Sequence, residues 1–170
     1  MTTTATAPAP PHRLLAIALV LVAAIELLDA LSSVSNIFRD YGHTTQLLIF
    51  AQAVTSVQLA LAPLVSGAAF VLVLMGKLRH AIVAMAVRML LVWLADLPSI
   101  ALRGLEVSAT FEGLGMFAFR FIYPLMAVAA IVLAHKNQRL ALAVVFVSLP
   151  TVIALIGFAV FAISIAIYGF

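Results

Sequence analysis

Residues 140–170 read LALAVVFVSLPTVIALIGFAVFAISIAIYGF and contain no charged side chain. A membrane-spanning helix needs about 20 predominantly apolar residues, because a hydrocarbon core of about 30 Å is crossed at about 1.5 Å per residue. This stretch exceeds that length without interruption by a charged group. It therefore predicts a transmembrane helix in this part of the chain.

Four more apolar runs precede this stretch, and together they predict five transmembrane helices, near residues 14–34, 45–75, 80–102, 114–134 and 140–169. Hydrophobic residues make up 66% of the 170 residues and charged residues 9%, with a mean hydropathy of +1.27, which excludes a soluble domain. Because the connections are short, successive helices are predicted to be antiparallel neighbours. The predicted fold is all-α, an integral membrane bundle that forms one domain over residues 13–170.

The start of the chain allows two interpretations. Residues 1–12 are mostly Thr, Ala and Pro, a composition that predicts a disordered tail. Arg13, the apolar run 14–25 and the small side chain of Ala30 also resemble a cleaved signal peptide. Glu26 and Asp29 precede any plausible cleavage site, however, which favours a retained first helix.

Basic residues flank the predicted helices unevenly, and this predicts an orientation. One side of the membrane would carry Arg13, Lys77, Arg79, Lys136 and Arg139. The other side would carry Arg39 and Arg103 together with the acidic residues Asp40, Glu106 and Glu112. By the positive-inside rule the N-terminus is cytoplasmic and the C-terminus outside, and we expect a location in the cytoplasmic (inner) membrane of a bacterium.

Several classes of site are excluded or disfavoured by composition. The chain has no cysteine, so disulfides and thiolate chemistry are excluded. An axial haem ligand would need a histidine inside the bundle, but all four histidines fall near predicted helix ends or in loops, at His12, His43, His80 and His135. We therefore expect no cofactor, no metal site and no nucleic acid partner.

Ionisable residues inside predicted spans are the candidates for function, because they are costly in lipid and by default face a bundle interior. Counting about 1.5 Å per residue gives similar heights, roughly 18 to 24 Å above the inner boundary, for four of them: Glu26, Asp29, Asp96 and Arg120. Gln52 and Tyr123 reach nearly the same level. The sequence predicts that these six side chains converge on one polar site in the outer half of the membrane.

The charges in this predicted site do not balance. Three carboxyl groups meet the single embedded guanidinium of Arg120, so at least one carboxyl is expected to be protonated or to hold a cation. An alternative is that the ion pairs only fix the register of the helices. Arg88 is expected lower, roughly 12 Å above the inner boundary, as a structural contact near Gln58 or with its side chain extended toward the headgroups.

Two functional classes follow. The favoured one is a non-enzymatic accessory or scaffold subunit of a membrane complex, with an apolar face of the last helix (Phe158, Phe161, Ile165) covered by another subunit or a second copy. The alternative is a small transporter or a protein that binds ions or protons at the acidic cluster. Catalysis by paired Asp29 and Asp96 is disfavoured, and no catalytic residue is assigned.

Overall fold

The computed structural model describes residues 10–38, 46–103 and 115–169, and within this part every regular element is helical. Its five main helices are α1 (Pro10–Ser33), α2 (Gln46–Leu74), α3 (Leu78–Arg103), α4 (Tyr123–His135) and α5 (Leu140–Tyr168). A 3₁₀ turn, Val34–Phe38, extends α1, and a π-helical turn, Ala118–Ile122, leads into α4. Five helical segments are long and apolar enough to cross a membrane, which confirms the predicted helix count.

Most observed boundaries lie within a few residues of the predicted ones. Helix α1 begins at Pro10, inside the segment predicted as a tail. Proline fits the first turn of a helix because its missing N–H has no partner to lose there. Residues 1–9 of the predicted tail lie outside the described residues, as do the loop residues Arg39, Asp40, Glu106 and Glu112.

The turn after α2 has a defined geometry. Gly76 has a φ of +73°, its N–H donates to the carbonyl of Val73 at 2.8 Å, and the N–H of Lys77 donates to that of Leu72 at 2.9 Å. These two bonds form a Schellman motif, which ends a helix on a left-handed residue.

The turn after α4 repeats this arrangement. Asn137 has a φ of 54° and donates to the carbonyl of Ala134 at 3.2 Å, while Gln138 donates to that of Leu133 at 3.1 Å. In both turns these bonds satisfy two of the last helix carbonyls, and the next helix begins within a few residues.

The helices pack in a ring in which each contacts the next along the chain and α5 returns to α1, with α3 also touching α5. Small residues occupy the contacts, including Ala23 on α1, Ala69 on α2 and Ala86 on α3, all fully buried. Larger side chains such as Ile82 fill the centre. Because lipid is as apolar as these side chains, close packing of small residues is what favours helix association in a bilayer.

Candidate functional site

Arg88 on α3 is the centre of a polar cluster that connects α3 to α1, two helices that are not adjacent in the ring. Its guanidinium forms an ion pair with the Glu26 carboxylate and lies 3.0 Å from an Asp29 carboxylate oxygen. Nη2 of Arg88 also donates a hydrogen bond to the backbone carbonyl of Glu26 at 3.3 Å. Glu26 and Asp29 can share this arginine because residues three apart lie on one face of a helix.

Thr151 on α5 adds a third helix to the cluster. Its hydroxyl donates a hydrogen bond to the Glu26 carboxylate, and its side chain is buried. We refer to Glu26, Asp29, Arg88 and Thr151 as the Arg88 cluster. Exposure differs sharply among its charged members: the side chain of Arg88 is 9% exposed and that of Glu26 16%, whereas that of Asp29 is 68% exposed.

A cavity of about 580 Å³ adjoins the Arg88 cluster. Its polar wall consists of the four cluster residues with Gln58 and Tyr123. The remaining wall is apolar and partly aromatic, formed by Ile25, Val92, Phe119, Pro150, Ala154, Leu155 and Phe158. A few convergent polar groups in an apolar cavity of several hundred Å³ are typical of small-ligand sites.

A second, separate ion pair joins α3 to the segment before α4. The Nε atom of Arg120 lies 3.7 Å from an Asp96 carboxylate oxygen, an ion-pair separation longer than a hydrogen bond. Arg120 is buried in the π-helical turn. Neither residue lines the 580 Å³ cavity.

Proline chemistry explains the local structure around Arg120. Pro124 has no N–H, so in a regular helix the carbonyl of Arg120, four residues earlier, would lose its partner and clash with the proline ring. The chain instead forms the π-helical turn Ala118–Ile122. The indole N–H of Trp93 on α3 donates to the Arg120 carbonyl at 2.9 Å and satisfies it.

The prediction of one converging polar site is therefore corrected to two separate sites. Glu26, Asp29 and Tyr123 line the cavity, whereas Asp96 and Arg120 form their own pair elsewhere. The cause is the helical repeat: eight residues separate the two α3 positions, Arg88 and Asp96, which rotates their side chains about 80° apart. Gln52, half-buried on α2, is not among the described residues that line the cavity.

The expected isolation of Arg88 is also corrected. Counting height by backbone rise places Arg88 below the carboxylates, but the count ignores how far a long arginine side chain reaches along a helix. Gln58 does share the cavity with Arg88, as a neighbour of the acidic residues and not as an isolated contact.

Two contacts in these sites, those of Thr151 and Trp93, were not predicted from the sequence. Thr151 directly follows Pro150 in a mostly apolar helix, and a polar side chain beside a proline is a signal that could have marked it. For Trp93 the signal was Pro124. Because proline has no N–H, the carbonyl of Arg120 loses its donor within the helix and needs one from a neighbouring helix.

The charges of the Arg88 cluster are unequal. Among the described residues it holds two carboxylates for one guanidinium. Within the described residues no three His, Asp or Glu side chains gather as a possible group of metal ligands.

The apolar helices together with these embedded charges indicate a multi-pass membrane protein. Protein-family models, curated proteins and solved structures give no match to this chain.

Proposed function

We propose that this protein is a small transporter that binds a proton or a small cation at the Arg88 cluster. The observation that carries the proposal is the excess carboxylate of Glu26 and Asp29 over Arg88, in the wall of a 580 Å³ cavity. A proton or a cation neutralises this excess, and its release restores the charge, which makes the cluster a reversible binding site.

The comparison within the chain favours binding over a purely structural role. A pair that only fixes helix register needs no adjoining cavity, and neither Asp96 nor Arg120 lines the 580 Å³ cavity. The Arg88 cluster has unequal charges and an adjoining cavity. Because its side chain is largely exposed, Asp29 is the residue past which a ligand would enter and leave the cluster.

Flux measurements in reconstituted vesicles test this function. We expect vesicles containing the protein to dissipate an imposed gradient of H⁺, Na⁺ or K⁺ faster than empty vesicles, and Asp29→Asn to abolish the difference. Asp96→Asn is the matched control, because it neutralises an aspartate outside the cavity and should retain flux. If the wild-type chain matches empty vesicles for all three gradients, the transporter proposal fails.

For the topology we propose antiparallel successive helices with the N-terminus in the cytoplasm. The tight turns after α2 and α4 support the antiparallel arrangement, and their basic residues Lys77, Arg79, Lys136 and Arg139 support the orientation. Because the chain has no cysteine, single-cysteine variants report the sides directly. We expect Gln138→Cys to react with a membrane-impermeant thiol reagent only from the cytoplasmic side, and Gly169→Cys only from outside.

A second candidate function, an accessory subunit of a membrane complex, is supported by the end of α5. Residues 152–164 are exposed on every face, including Phe158 and Phe161, and Ile165 is only partly buried. The test is crosslinking in native membranes from Ile163→Cys, with Leu28→Cys on α1 as an equally exposed control. A stoichiometric adduct specific to Ile163→Cys, combined with no flux, would favour the accessory subunit over the transporter.

A further inference from the structure

A second amphipathic cavity, of about 490 Å³, lies where the end of α2 and the start of α3 meet the end of α4. Its polar wall is formed by Arg79, His80 and His135. Leu72 and Val83 contribute to an apolar wall beside them. The cavity therefore combines a cationic end with a hydrocarbon-like side.

A neighbouring cavity of about 340 Å³ is also lined by Arg79 and His80 and includes Lys77, so two cationic side chains, those of Arg79 and Lys77, lie at this end of the bundle. Arg79 and His80 thus stand between two cavities and can face a ligand in either. Both residues are exposed in the first turn of α3, which contains no acidic side chain.

The described carboxylates cannot neutralise this end of the bundle. Glu26 and Asp29 are engaged by Arg88, about 13 Å further along α3 than Arg79, and Asp96 is engaged by Arg120. Positive charge thus accumulates around the 490 Å³ cavity without an acidic partner among the described residues.

We propose that the 490 Å³ cavity binds an anionic phospholipid, with its phosphate against Arg79, His80 and His135 and the start of an acyl chain against Leu72 and Val83. Basic pockets between transmembrane helices at the cytoplasmic surface are suited to such headgroups. The apolar wall favours a lipid over free phosphate, which would leave that wall uncovered. This site is independent of the Arg88 cluster and does not rest on the proposed transport.

Lipid binding to the full-length protein tests the site. The purified chain is titrated in detergent with phosphatidylglycerol or phosphatidylcholine, and bound lipid is counted by native mass spectrometry. We expect phosphatidylglycerol to be retained in preference to phosphatidylcholine, and Arg79→Gln to weaken its binding roughly fivefold, since a basic residue near a lipid surface contributes about 1 kcal/mol. Equal retention of the two lipids would overturn the proposal.

Lys136→Gln is the matched control, because Lys136 is an exposed cation at the same end of the bundle but lines neither cavity. It should leave the affinity for phosphatidylglycerol nearly unchanged, whereas an equal loss in both variants would show diffuse charge attraction and contradict a defined site.

Competition with inorganic phosphate distinguishes a lipid site from a site for free anions. Displacement of the lipid by millimolar phosphate would indicate a free-anion site and overturn the lipid assignment, and persistence of the lipid would support it.

Discussion

The guanidinium of Arg88 on α3 lies 3.0 Å from a carboxylate oxygen of Asp29 on α1 while it also holds the carboxylate of Glu26. One buried cation therefore serves two carboxylates, and its loss would leave both without a cationic partner among the described residues. This relationship makes Arg88 a sensitive position in the bundle.

Replacing Arg88 should destabilise the protein strongly. Removing one member of a buried ion pair costs about 3 to 5 kcal/mol, because the partner charge, here that of Glu26, stays mostly buried. We expect Arg88→Gln to lower the free energy of unfolding by about this amount, measured by denaturant titration in mixed micelles. Lys136→Gln, at an exposed position that lines neither cavity, should change it by less than about 0.5 kcal/mol, and equal effects of the two variants would contradict the importance of the buried cluster.

The hydroxyl of Thr151 should matter through its hydrogen bond to Glu26. Thr151→Val keeps the shape of the side chain but removes a donor to a charged acceptor, a bond worth about 1.5 to 3 kcal/mol. Ser164→Ala provides the control, since the Ser164 hydroxyl bonds only to the carbonyl of Val160 in its own helix and is exposed. Thermal unfolding in micelles should show a clear loss for Thr151→Val alone; a comparable loss at Ser164 would argue against the contact.

Trp93 and Pro124 should be energetically coupled. Trp93→Phe removes the N–H that satisfies the Arg120 carbonyl, and we expect a cost of about 1 to 3 kcal/mol. In a Pro124→Ala background the alanine N–H can serve that carbonyl within the helix, so Trp93→Phe should cost less. A double-mutant cycle on unfolding free energy measures the coupling, and strictly additive effects would refute this explanation of the π-helical turn.

The helices were predictable from the sequence because each apolar run carries its own signal. The requirement for about 20 apolar residues places α2 and α5 within a residue or two of their observed ends, without any knowledge of the neighbours. The early start of α1 at Pro10 was missed, since proline reads as a helix breaker except in the first turn.

The site was predictable only in part, because it depends on which faces of the helices meet. The spacing of Glu26 and Asp29 placed them on one face, and they do act together. Height along the membrane normal could not reveal that Asp96 turns toward Arg120, nor that Arg88 reaches the carboxylates. Rotation and side-chain reach are set by packing, which a single sequence leaves open.

Among its described residues the Arg88 cluster holds one carboxyl group more than its arginine can neutralise. Infrared spectroscopy of the protein in lipid, at neutral pH and in a buffer free of small metal cations, tests this imbalance through the C=O stretch of a protonated carboxylic acid. We predict that this band is present in the wild type and in Asp96→Asn, and is lost in Asp29→Asn. A wild-type spectrum with every carboxyl group ionised and no bound cation would contradict the account.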